Sequence, residues 1–145
     1  MRVVVIGCGR IGAHVARRLA GDGHAVCVVD QDPATLARLG EGFSGESVVG
    51  PGFDRDVLQS ARVAEADAVV VLTNVDATNF MVARAVTALF GVRRVTVRIN
   101  DPEFQAIFDE LGLETIPLPD LVLDRVRDAL ATTGATEGAQ ESRTR

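Results

Sequence analysis

The chain has 145 residues, 47% of them hydrophobic and 24% charged, with a net charge of −5, which is one globular domain's worth of sequence. The negative balance argues against nucleic-acid binding through a global positive field, and no apolar run approaches the ~20 residues needed to span a bilayer. Two cysteines, Cys8 and Cys27, are too few for a disulfide framework, and their spacing is not a metal motif.

Arg2–Ile6 is a short β-branched run, the mark of a strand buried on both faces. It is too short for the core of a signal peptide, so a cytosolic chain is expected. Gly7-Cys8-Gly9-Arg10-Ile11-Gly12 follows and opens a helix through Ala20, with Ile11, Val15 and Leu19 on one stripe and Gly21 and Gly23 as stops. Residues 25–29 form a second buried strand, ended by Asp30. Asp32 caps a helix with Pro33 at its first position, running to about Leu39. Glu46–Val49 is a third strand, and Asp54 caps a helix to about Ala61. Residues 68–72 are an all-apolar strand, after which Asp76 is read as the cap of a long helix to about Phe90. Val95–Ile99 is the fifth strand, and Asp101-Pro102 opens a helix to about Leu111. Residues 114–116 form the last strand, and Pro119 and Asp120 start a final helix to about Ala131. Leu121, Val122, Val126, Ala129 and Leu130 share one face of it. Alternation of this kind predicts an α/β, Rossmann-like, doubly wound parallel sheet of six strands with helices on both faces. The domain is expected over 1–131, with a polar, disordered tail over 132–145.

The absences narrow the chemistry. The chain has no Lys, Tyr or Trp and only two histidines, His14 and His24. There is therefore no P-loop lysine, no Schiff base and no tyrosine acid/base.

A lone GxGxxG is a weak signal, but here it follows a strand and opens a helix in the first unit of the fold. Gly7 permits the tight turn, Gly9 lets a pyrophosphate approach the backbone, and Gly12 allows helix-on-strand packing. The helix N-terminus offers free N–H groups and a positive dipole end to phosphates. Asp30, 18 residues after Gly12, stands where a carboxylate accepts the ribose hydroxyls. It repels a 2′-phosphate, and Gln31 and Asp32 follow it rather than Arg, so NAD(H) or an adenine nucleotide is favoured over NADP. Arg10 in the glycine loop is a candidate phosphate contact. Gly52 and Phe53, after the third strand, are candidates for the adenine side. Thr73 and Asn74, after the fourth, and Arg98, at the end of the fifth, converge on the same crevice. Cys8 lies within the loop itself, where a small filler serves as well as a reactive thiol.

These residues resemble a known family. Residues 3–12 with 28–32, then 66–79 (ADAVVVLTNVDATN), 97–104 (VRINDPEF) and 112–117 (GLETIP), are similar to the RCK N-terminal (TrkA-N/KTN) domains. These belong to regulatory subunits of Trk/Ktr-type potassium uptake systems and channels. The resemblance spans nearly all of residues 1–131. It implies a nucleotide-binding module for NAD(H), ATP, ADP or AMP that gates a membrane potassium transporter or channel and turns over no substrate. The ligand positions it implies are Gly7 to Ile11, Asp30, Thr73-Asn74 and Arg98. It also implies a homodimer or higher homo-oligomer, cytoplasmic and peripheral to the inner membrane through its transporter partner. The chain departs from the family where Gly50-Pro51 replaces the usual Gly-Asp, and in size: relatives usually add a C-terminal sensing domain, where this sequence has a polar stretch after the last helix, as either a stand-alone module or part of a longer protein. The alternative reading is a small NAD-dependent oxidoreductase, or the cofactor domain of one. It lacks an evident general acid/base. A redox-sensing repressor would need a DNA-binding module for which the chain has no room.

Overall fold

The computed structural model describes residues 1–143, with side chains described through residue 132. Six strands form one sheet: β1 (Arg2–Ile6), β2 (Ala25–Asp30), β3 (Glu46–Val49), β4 (Ala68–Val71), β5 (Val95–Ile99) and β6 (Glu114–Pro117). Every neighbouring pair is parallel, in the order β3-β2-β1-β4-β5-β6. The order reverses between β1 and β4, so the loops at their C-terminal ends part there and leave a crevice.

Alternation along the strands divides the core. Val4, Ile6, Cys27, Val29, Val69, Val71, Val97 and Ile99 face one side, with Leu58, Val82, Val86 and Phe108. These four come from α3 (Arg55–Ser60), α4 (Asp76–Phe90) and α5 (Gln105–Glu110). Val3, Val5, Val26 and Val28 face the other side. There they meet Ala13 and Ala16 of α1 (Arg10–Gly21), Leu36 of α2 (Pro33–Leu36) and Leu39 of the 3-10 turn Ala37–Leu39. A parallel sheet must cover both faces, and continuous Val/Ile runs are what that demands of sequence. The expected doubly wound α/β architecture is observed.

Three caps are where the sequence puts them. Asp32 accepts from Ala34 N–H, Asp54 from Asp56 and Val57 N–H, and Asp101 from Glu103 N–H.

Asp76 is different. The N-cap of α4 is Val75, with no side-chain cap. The Asp76 carboxylate instead reaches across to the end of β5, accepting from Asn100 N–H at 2.8 Å and Asp101 N–H at 2.9 Å. These part-buried backbone donors take the carboxylate as their acceptor.

The last helix, α6 (Leu118–Arg143), also departs from expectation. It begins at Leu118 and continues past Ala131, through Gly134 and Gly138. Its backbone is helical over 132–143, past the expected end near Ala131; residues 144–145 of the expected tail lie outside the described residues. Its apolar face is exposed, with Val122 at 59% and Leu130 at 69%.

Candidate functional site

One cleft of about 700 Å³ opens at the C-terminal ends of β1, β2, β4 and β5. It contains most of the residues singled out from sequence: Gly7, Gly9, Arg10 and Ile11 of the first loop, Asp30 and Gln31 after β2, Gly52 and Phe53 after β3, Thr73 and Asn74 after β4, and Arg98 of β5. Cys8 and Gly12 stand behind the wall. The Cys8 side chain is fully buried among the α1-side core. Burial, with the neighbouring Asp30 carboxylate, pushes its thiol up from the ordinary value, against smaller downward pulls from Arg17 and Arg38. That is the environment of an inert thiol. Both histidines lie outside the cleft.

The glycines separate by what a side chain would meet. Gly7 has φ +102°, and a Cβ there would lie 2.8 Å from Thr73 N. A Cβ on Gly12 would lie 1.8 Å from the Gly7 carbonyl oxygen. These two are dictated by the turn itself. Gly9 has φ −66°, an ordinary conformation, and a Cβ on it would meet nothing within 4 Å. No contact within the chain requires Gly9. What a side chain would occupy there is the open cleft. Gly52 is explained by packing, since a Cβ would come within 2.4 Å of Ile6 Cγ2.

The start of α1 is prepared for an anion. Gly9 is its N-cap, with no side-chain cap and no acidic residue in the first turn. Its first N–H groups therefore keep the positive dipole end free of internal compensation. Arg10 stands on the same turn, where a cation opposes the dipole unless an anion joins them.

Asp30 is held rigidly. Its Oδ2 accepts from Cys8 N–H at 2.8 Å and its Oδ1 from Asp32 N–H at 2.9 Å. Each carboxylate oxygen has a second lone-pair direction left for an external donor.

The β4 side is a polar network. The Thr73 hydroxyl donates to Asn79 Oδ1 and accepts from Val75 N–H at 3.3 Å. Asn79 is fully buried, and its amide donates to the carbonyls of Thr73 at 2.9 Å and Arg98 at 3.0 Å. It ties β4 to β5, a larger role than completing a cap. Arg98 Nε donates to Asn100 Oδ1 at 2.6 Å, which steadies the guanidinium beside the cleft.

Sequence reasoning passed over Val75, Thr78 and Val82 of the β4–α4 side, and Thr35 and Arg38 of the α2 side, all of which line the cleft. Helix periodicity was the available signal. Thr35 and Arg38 flank the buried Leu36 and Leu39, and Thr78 sits four residues before buried Val82. Among the described residues no group of three metal-binding side chains is assembled.

A parallel sheet ordered 3-2-1-4-5-6, with a glycine loop at its first helix and an acidic residue ending its second strand, is a Rossmann-like fold. The profile of the TrkA-N domain matches residues 3–119, and the chain belongs to that family. It is 38% identical over 135 residues to a Trk system potassium uptake protein TrkA from Streptomyces coelicolor. That match covers 93% of this chain and 60% of the relative, so the chain spans less than two thirds of that relative's length. Among solved structures, the Kef C-terminal domain of Shewanella denitrificans in an AMP-bound form has a TM-score of 0.77 at 18% identity, covering 92% of this chain and 82% of that one. The GsuK channel bound to NAD has a TM-score of 0.69 at 23% identity, covering 81% of this chain and 21% of that one. At these identities the two structures are alike in fold.

Proposed function

We propose that this chain is the nucleotide-binding module of a cytosolic regulatory subunit that controls a potassium transporter or channel. The observation that carries the reading is the pairing of an uncapped α1 N-terminus, open above Gly9, with a fixed Asp30 carboxylate in one cleft. These two features fit the two ends of a nucleoside phosphate. Arg10 and the first N–H groups of α1 hold the phosphates, and Asp30 accepts from the ribose hydroxyls. Phe53 and Gly52 border the base, and Asn74 and Arg98 reach the phosphate or second-ribose side. NAD(H) or an adenine nucleotide (ATP, ADP or AMP) is the proposed ligand, and the AMP-bound and NAD-bound fold neighbours support that class. The potassium link rests on the family and on the named uptake relatives.

A regulator is favoured over an oxidoreductase because the cleft holds no Lys, Tyr or His for proton transfer at a nicotinamide. No helix among the described residues is long and apolar enough to cross a membrane, so the proposed placement is cytoplasmic, docked on a transporter partner. The exposed apolar residues of α6, with Ile107 of α5 at 46% and Leu111 at its C-cap at 37%, support a homodimer or higher oligomer.

Regulation requires two nucleotides with different consequences, because a ligand shifts an equilibrium only through differential affinity for its states. Arg10 and Arg98 are the proposed discriminators, meeting terminal phosphates that AMP lacks. Calorimetric titration of ATP, ADP, AMP and NADH into the unmutated protein, Arg10→Ala and Arg98→Ala tests this. Loss of one charge-assisted contact, about 1.5–3 kcal/mol, should erase roughly tenfold or more of any ATP-over-AMP preference. Identical rankings in all three proteins would remove the switch. A gene deletion that leaves growth at limiting potassium unchanged would remove the link to potassium uptake.

A further inference from the structure

Arg38 sits on the 3-10 turn Ala37–Leu39. The turn is fixed from below, because Leu36 and Leu39 are both buried in the α1-side core. Burying those two positions turns Thr35 and Arg38 toward the cleft, beside Asp30 and Asp32. The backbone is also held, since the Arg17 guanidinium donates to the Arg38 carbonyl. Yet among the described residues the Arg38 guanidinium enters no hydrogen bond or ion pair. The carboxylates that line the same cleft, Asp30 and Asp32, accept backbone N–H groups and form no ion pair with it.

A bound nucleotide offers this cation a phosphate, a 2′-phosphate or a base. The phosphates belong at the start of α1 with Arg10, and a 2′-phosphate is repelled by Asp30 and Asp32. The base remains. Resting on the nucleotide-binding reading above, we infer that Arg38 lays its guanidinium plane on the face of the base, making the cleft selective for purines and indifferent to which purine. A guanidinium is planar and weakly hydrated, and it stacks on aromatic faces. Stacking reads the face of a ring and not its edge, so adenine and guanine are equivalent and the smaller pyrimidine face is worse. Edge reading is also weakened after β3, where Pro51 has no N–H to donate.

The test is calorimetric titration of ADP, GDP, CDP and NADPH into the unmutated protein, Arg38→Ala and Arg38→Lys. The side chain is exposed, so folding is expected to survive, and a thermal melt of each variant checks it. The unmutated protein should bind ADP and GDP within about threefold of each other, and CDP more weakly. Arg38→Ala should lose about three- to thirtyfold for both purines and less for CDP, with Arg38→Lys between. Rejection of GDP, an unchanged ADP affinity in Arg38→Ala, equal losses for all three diphosphates, or a loss confined to NADPH would each overturn the inference. Absence of ADP binding to the unmutated protein would overturn the nucleotide reading beneath it as well.

Discussion

Gly9 and Gly12 are three residues apart and are glycines for different reasons. A methyl group on Gly12 collides with the Gly7 carbonyl, whereas one on Gly9 meets no atom of the chain. Gly12→Ala should therefore open the loop and destabilise the fold by about 1–3 kcal/mol or more, read as a lowered urea midpoint. Gly9→Ala should stay within about 1 kcal/mol of the unmutated protein, the small difference expected between Gly and Ala at an N-cap, while losing nucleotide affinity. Equal stability losses in the two variants would remove the argument that Gly9 is kept open for a ligand. Asp30 admits a similar separation. Asp30→Asn keeps one acceptor oxygen for the Cys8 N–H yet loses the charge that takes the ribose hydroxyls, so binding should weaken more than folding. The motif spacing made Gly7, Gly12 and Asp30 legible from sequence. The burial of Cys8 was hidden, because a loop position does not declare which way its side chain points.

At the scale of elements, the ends of β4 and β5 are held by groups that a chain-order reading assigns to caps. Asp76 and Asn79 are spaced as a helix-start pair, and local patterning places them at the N-terminus of α4 correctly. Their partners, Asn100, Asp101 and the Arg98 carbonyl, are 19 to 25 residues away. No local rule reveals a bond of that separation. Asn79→Ala should strand the Arg98 carbonyl and leave that of Thr73 with only the Asn100 amide at 3.4 Å, at about 1–3 kcal/mol for an unsatisfied group. Chemical denaturation of the variant measures this, and a loss below about 0.5 kcal/mol would mean that water replaces the amide. The strands were the most legible elements, since β-branched runs bounded by Gly and Asp leave little choice of period. The extent of α6 was the least, because its C-terminal half has helix-forming composition without the amphipathic stripe that announces a packed helix.

For the whole molecule, burial has a consequence in pH. Desolvation is the largest cause raising both thiols, Cys8 and Cys27, above their ordinary range. A thiol whose folded pKa exceeds its unfolded value stabilises the fold fully below the unfolded value, and that contribution fades as pH rises through the folded one. Stability should therefore decline above about pH 8.5–9. At about pH 8.5 iodoacetamide should label neither cysteine in the native protein and both in urea. Rapid labelling of Cys8 without denaturant would mean that the glycine loop opens.

The central claim is that one cleft, between the uncapped start of α1 and Asp30, binds a nucleotide without a 2′-phosphate. Titrating NADH, ADP and NADPH into the unmutated protein tests it most directly. The account predicts dissociation constants of about 1 μM or tighter, on the order of −8 kcal/mol, for NADH or ADP, with NADPH weaker. Heat-silent titrations with no thermal shift for any of the three, or tighter binding of NADPH than NADH, would contradict it.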